Sequence, residues 1–130
     1  MADYTIQNLK EIEDSATKFG LSPELEARFA GGTLDQEGSR ISYQRLAPNF
    51  RLPFGHRHEQ QEEIYVLVAG SGRMKLDDEI VHVRQWDAVR VAKDTMRCIQ
   101  AGPDGLELLA IGAPATGSGD AQMSPGWWSD

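Results

Sequence analysis

One cysteine, Cys98, in a chain of 130 residues excludes an internal disulfide and any cysteine-based chelating cluster within a single chain. No apolar run reaches the roughly 18 residues that a membrane-spanning helix needs, and no positively charged leader precedes an apolar core. Neither membrane insertion nor secretion is indicated, so the cytoplasm is the expected location. Basic residues are scarce: 13 Lys and Arg stand against 20 Asp and Glu, a formal net charge of −7. That field opposes non-specific binding to nucleic acid and to anionic membranes. Also missing are a Gly-rich phosphate loop between a strand and a helix, a basic recognition helix and a Cys/His finger. Neither nucleic acid nor membrane is an expected partner. What is present, 40% hydrophobic and 25% charged residues, suits one globular core.

The chain changes texture along its length. Residues 1–37 hold eight acidic and three basic side chains, and residues 38–130 hold twelve and ten, so the acidic surplus lies at the front. Asn8 followed by Glu11 predicts a helix N-terminus, Leu9, Ile12, Ala16 and Phe19 supply its apolar stripe, and Gly20 ends it. Pro23 after Ser22, with Leu25 and Phe29 four residues apart, predicts a second short helix. From Ser39 onward, β-branched, aromatic and apolar runs separated by Gly, Asp and Pro predict strands near 40–47, 63–69, 72–76, 80–84, 88–91, 96–101 and 106–111. Closely spaced strands of this kind fit an antiparallel sandwich or barrel better than repeated β-α-β units. The expected organisation is an N-terminal helical accessory segment (1–37), a β core (38–112) and a tail (113–130). Residues 113–120 read as a loop, and Trp127 and Trp128 dock the tail on the body or on a partner subunit.

His56 and His58 carry the chemical signal. Two residues apart on an extended chain, they project from one face and present nitrogen donors to one point. Glu62 or Glu63 can return a carboxylate oxygen to the same point if the chain bends into the next strand. Two imidazoles and a carboxylate can hold a divalent transition metal (Fe, Mn, Ni, Cu or Zn) and leave positions open; a solvated charge run is the competing reading. His82, between Val81 and Val83, falls on the face opposite those valines. Cys98 has no nearby histidine to activate it and reads as a small apolar filler.

The run from Pro53 to Gly70 resembles the first motif of the cupin superfamily: His56, one residue, His58, four residues, Glu63, six residues, Gly70. The earlier glycine of that motif falls at Phe50. Residues 72–79 and 86–92 resemble the central hairpin and the approach to the second motif, so that the likeness spans roughly Arg40 to Gly112. The resemblance implies an all-β, cupin-like jelly-roll β-barrel with short N-terminal helices, a homodimer, and a pocket inside the barrel. It selects Glu63 as the third metal ligand beside His56 and His58. The second motif departs from the pattern: its opening glycine falls at Trp86, its proline at Ala92, its next glycine at Asp94, its metal-binding histidine at Arg97 and its terminal asparagine at Ala101. Arginine stays protonated and offers no lone pair, so Arg97 is no ordinary ligand. By the same correspondence it faces the pocket, where it pairs with Glu63 or binds an anionic substrate.

Two functions follow. One is a metal-dependent enzyme acting on a small polar or carbonyl-containing molecule, with Arg97, Tyr65 and Tyr43 as candidate substrate-binding residues and no catalytic base identifiable. The other is a metal-free small-molecule-binding, sensing or structural module built around Arg97 and Glu63.

Overall fold

Alternation of buried and exposed side chains sorts most of the chain into strands. The computed structural model describes residues 1–117 and 119–130; Ser118, in the expected 113–120 loop, lies outside them. The strands are β1 (Leu25–Phe29), β2 (Arg40–Leu46), β3 (Phe54–His58), β4 (Glu62–Leu76), β5 (Glu79–Arg84), β6 (Ala88–Val91), β7 (Arg97–Ala113) and β8 (Ala121–Pro125). All pairings are antiparallel. The long strands β4 and β7 run side by side from Glu62 opposite Ala113 to Leu76 opposite Arg97. β4 carries β5 and β6 on its other edge, and the path β1-β2-β7-β3-β8 continues from β7. The sheet thus curls around a core that includes Leu46, Leu67, Met74, Val91, Ile99 and Leu108, giving the all-β jelly-roll class expected from the sequence.

Both long strands run through glycine-rich stretches that the sequence marks as turns. In β4 the register shifts between Leu67 and Ala69 and again between Gly70 and Gly72, so bulges absorb Gly70-Ser71-Gly72 without ending the strand. Gly70 has φ +75°, and a Cβ there would lie 2.1 Å from the Gly105 carbonyl oxygen. Only glycine fits a left-handed residue against backbone.

The front of the chain is less helical than its stripe suggests. Two 3₁₀ turns, Leu9–Glu11 and Ser15–Phe19, replace one helix. Asn8 caps the first, and Asp14 Oδ1 accepts from Ala16 N of the second at 3.0 Å and from Ala27 N of β1 at 2.9 Å. Residues 25–29 form β1 in place of the expected second helix. Leu25 and Phe29, four apart, satisfy a strand period as well as a helical one, and Leu25 and Ala27 are buried against β2. Among the described residues no helix is long and apolar enough to cross a membrane.

Trp86 stands at φ +73° in the turn between β5 and β6, where the resembled motif has glycine, and its N–H donates to the Leu67 carbonyl at 2.7 Å. The side chain is 71% exposed and plugs no interior space. A left-handed tryptophan costs about 1–2 kcal/mol that a glycine avoids. Trp86→Gly is expected to stabilise the protein by up to about 1 kcal/mol after its larger unfolded-state entropy is counted. Gly70→Ala is expected to destabilise it by more than about 2 kcal/mol. Urea denaturation of both variants checks this; equal stability of Gly70→Ala and the parent contradicts it.

Candidate metal centre

β3 is extended, so His56 and His58 leave it on the same face, with ring centroids 5.0 Å apart and the rings edge to face. β3 and β4 are not ladder partners, and the carboxylate of Glu63 meets the imidazoles across the interior of the curled sheet. Its Oε1 lies 3.2 Å from His56 Nε2 and 2.9 Å from His58 Nε2. Ligand atoms of the three residues lie within 4.8 Å of one another. Two further side chains reach the same oxygen. Tyr65, two residues along β4, donates its hydroxyl at 2.6 Å. Arg97, opposite His56 in the β3–β7 register, places Nη1 3.4 Å away. Arg97 is 1% exposed; Nη2 donates to the Ala92 carbonyl at 2.8 Å, while Nε has no partner among the described residues.

Burial opposes the charge on Glu63, but hydrogen bonds from His56, His58 and Tyr65 outweigh it and hold the carboxyl far below the usual carboxylate range. Burial likewise opposes a charged His58. The bonds to Glu63 and Asp120, with the Glu63 charge, override it and raise the imidazole pKa. Burial, followed by the Glu63 charge, pushes Tyr65 well above an ordinary phenol, so it remains a hydroxyl donor.

Asp120, which no sequence motif marks, is the residue that sequence reasoning misses. Its Oδ2 lies 2.8 Å from His58 Nδ1, and it accepts from the backbone N–H groups of Gln60 at 2.9 Å and Gln61 at 3.3 Å. These contacts bridge about sixty positions in the chain, beyond any local spacing rule. The only sequence signal is an acidic residue closing a Gly/Ser loop just before a strand.

The other candidates sit elsewhere. Tyr43 is buried, but its hydroxyl is bonded to Lys10 and Glu107 rather than to the cluster. Glu62 is exposed and pairs with Arg90 at 3.2 Å. His82 is exposed and Val83 buried. Cys98 is buried, and burial pushes its thiol up to about 11, a poor nucleophile at neutral pH. The larger surface cleft, about 570 Å³, is lined by residues that include Arg73, His82, Arg84 and Gln100; a smaller one of about 130 Å³ lies by Pro48 and Gly105. Neither includes the triad, which reaches solvent through the edges of His56 (20% exposed) and Glu63 (13%). The larger cleft lies apart from the triad, where the ligand atoms converge.

The donor set fits a divalent transition metal. Ligand atoms about 2.1 Å from one ion at angles between octahedral and tetrahedral lie about 3.0–3.4 Å apart. The 3.2 Å from Glu63 to His56 falls in that range and the 2.9 Å to His58 just below it, with all three ligand atoms within 4.8 Å of one another. Two nitrogens and an oxygen suit Fe, Mn, Ni, Cu or Zn without choosing among them.

In the metal-free protein the cluster sets a pH window. Glu63 and Asp120, both lowered, contribute stability that is present above the ordinary carboxylate pKa of about 4 and lost as pH falls through their folded values. His58, raised, contributes stability that is complete below its unfolded pKa of about 6.5 and lost as pH rises through the folded value. Thermal melts in chelator should peak between about pH 4.5 and 6.5. His58→Gln should flatten the alkaline limb; a wild-type melting temperature that climbs from pH 6.5 to 9 contradicts this.

No protein-family model and no curated protein matches the chain. Solved structures do. A cupin protein from Bacteroides fragilis is 27% identical, covering 91% of this chain and 89% of its own, with a TM-score of 0.72. A Streptomyces protein solved with uridine, PAC13, is 16% identical over 95% of this chain and 90% of its own, with a TM-score of 0.70; it is described as a nucleoside dehydratase. A predicted oxalate decarboxylase from Thermotoga maritima is 20% identical over 70% of this chain and 81% of its own, at 0.61. With the His56–His58–Glu63 spacing on a curled antiparallel sheet, these likenesses give the chain its place as a small single-domain protein of the cupin-superfamily fold.

Proposed function

We propose that the protein is a metal-dependent enzyme acting on a small polar or carbonyl-containing molecule. His56, His58 and Glu63 hold a divalent transition metal, and Arg97 and Tyr65 face the substrate. The observation that carries this reading is the convergence of three ligand atoms from β3 and β4 within 4.8 Å. When bound, the ion would supply Lewis-acid polarisation of a substrate oxygen.

Charge accounting supports an anionic or anion-forming substrate. Glu63 and Asp120 against Arg97 leave one negative charge with neutral histidines, and a divalent ion turns this into one positive charge. A carboxylate or enolate restores neutrality. Arg97 is suited to that task because its Nε is buried without a partner and its guanidinium cannot lose its proton. Tyr65 holds a proton on the edge of the same cluster.

The competing reading, a metal-free binding module, draws on a specific observation as well. Arg97 already contacts Glu63 at 3.4 Å, and a protonated His58 between two carboxylates balances the cluster without an ion. A homodimer belongs to the proposal too; Phe29 on the edge strand β1 and Phe19, 56% and 72% exposed, offer apolar surface to a second copy.

Elemental analysis of untagged protein purified without chelator separates the two. Near-stoichiometric transition metal in the parent and its loss in His56→Ala is the expected result. Negligible metal, with no uptake on reconstitution, overturns the metal reading in favour of the Arg97–Glu63 module.

A further inference from the structure

β3, which carries both histidines, has little support of its own on the β7 side, where His56 opposite Arg97 is its single registered pair. On its other side β8 pairs with all five of its residues, from Phe54 opposite Pro125 to His58 opposite Ala121. The residue just before β8 is Asp120, whose carboxylate meets His58 Nδ1 and whose carbonyl accepts from Glu59 N at 3.0 Å. Beyond β8 the chain is fastened by aromatic packing. Trp128 is 5% exposed beneath Arg51 and Arg73, whose guanidinium carbons lie 4.2 and 5.3 Å from its ring centre. Trp127 lies beneath Lys75 at 4.6 Å, and it packs so closely on β3 that a Cβ at Gly55 would fall 2.7 Å from the indole. Arg51 also donates to the Trp128 carbonyl and to Asp130, each at 2.9 Å.

We propose that residues 119–130 are a working part of the metal centre: Asp120 is a positioning residue for His58, and docking of β8 and Trp128 delivers it, so that metal binding and tail docking stabilise each other. This rests on the metal reading above. A histidine can offer one nitrogen to an ion only if the other keeps the proton, and a carboxylate facing Nδ1 holds the proton there and leaves Nε2 free to face Glu63 and the ion. The same carboxylate pins Gln60 and Gln61 N–H, which sets the turn that brings Glu63 back toward the histidines. Asp120 therefore orients one ligand directly and a second through the turn, from a segment distant in sequence. Because the ion prefers the docked tail, the docked tail must prefer the ion by the same factor.

Asp120→Asn separates orientation from mere anchoring: its amide oxygen, in place of Oδ1, still accepts from Gln60 N–H, while an NH2 group replaces the oxygen that faces His58 Nδ1 and the more distant Gln61 N–H. Zn(II) affinity, measured by competition with a chromophoric chelator, is expected to fall roughly 10- to 100-fold in this variant. The visible absorption of the Co(II)-loaded protein should change with it, while the metal-free form, with a lower melting temperature than the parent, stays folded at the temperature of the titration. In the parent, Zn(II) should slow amide exchange across residues 121–125, and Trp128→Ala, which touches no ligand, should weaken Zn(II) binding in parallel with tail docking. Parent-like Zn(II) affinity and Co(II) absorption in Asp120→Asn, or β8 exchange indifferent to Zn(II), overturns the proposal and leaves the metal reading standing. A parent chain that takes up neither ion overturns both. Should Trp128→Ala fail to fold, Asp120→Asn and the exchange measurement still decide.

Discussion

Two imidazoles, a phenol and a guanidinium are all directed at one oxygen of Glu63, and the rest of the site is arranged around that convergence. A half-buried carboxylate surrounded by so many donors is held ionised at neutral pH. Such a group needs either permanent positive neighbours or an ion to complete it. Arg97 gives partial compensation, at 3.4 Å and with its own Nε left without a partner. The cluster is therefore poised between internal neutralisation by Arg97 and a protonated His58, and completion by a divalent cation.

The fold supplies that convergence through long-range pairing. β7 spans 17 residues and serves three neighbours, so it sets where β2, β3 and β4 lie relative to one another. Pairing of β3 with β7 puts Arg97 beside His56, and the full-length β4–β7 ladder puts Glu63 and Tyr65 across from them. Bulges at Gly70 and the left-handed glycine at Gly105 let the two long strands curl without breaking. The tail closes the last open edge of β3 and brings a second carboxylate to His58.

Much of this was legible in the sequence because it was local. The His56–His58 alternation, the return at Glu63 and Gly70 depend on spacing within one turn and two strands. Arg97 was legible only through the resemblance, because its neighbours in space are some forty residues away. Asp120 was not legible at all: its partner lies in a different strand, and nothing near it in sequence distinguishes it from a solvated loop aspartate. At the front of the chain, Leu25 and Phe29 misled because a spacing of four serves a strand as well as a helix, and only the free edge of β2 decides between them. The partners of the Tyr43 hydroxyl were hidden for a related reason, since it finds Lys10 and Glu107 through tertiary pairing.

Diffraction from crystals grown with a divalent transition metal, recorded on either side of its absorption edge, tests the central claim most directly. The account predicts a single anomalous peak at coordination distance from His56 Nε2, His58 Nε2 and Glu63 Oε1, with Asp120 still on His58 Nδ1. A peak confined to other residues, or none while Arg97 and Glu63 stay paired, would contradict it.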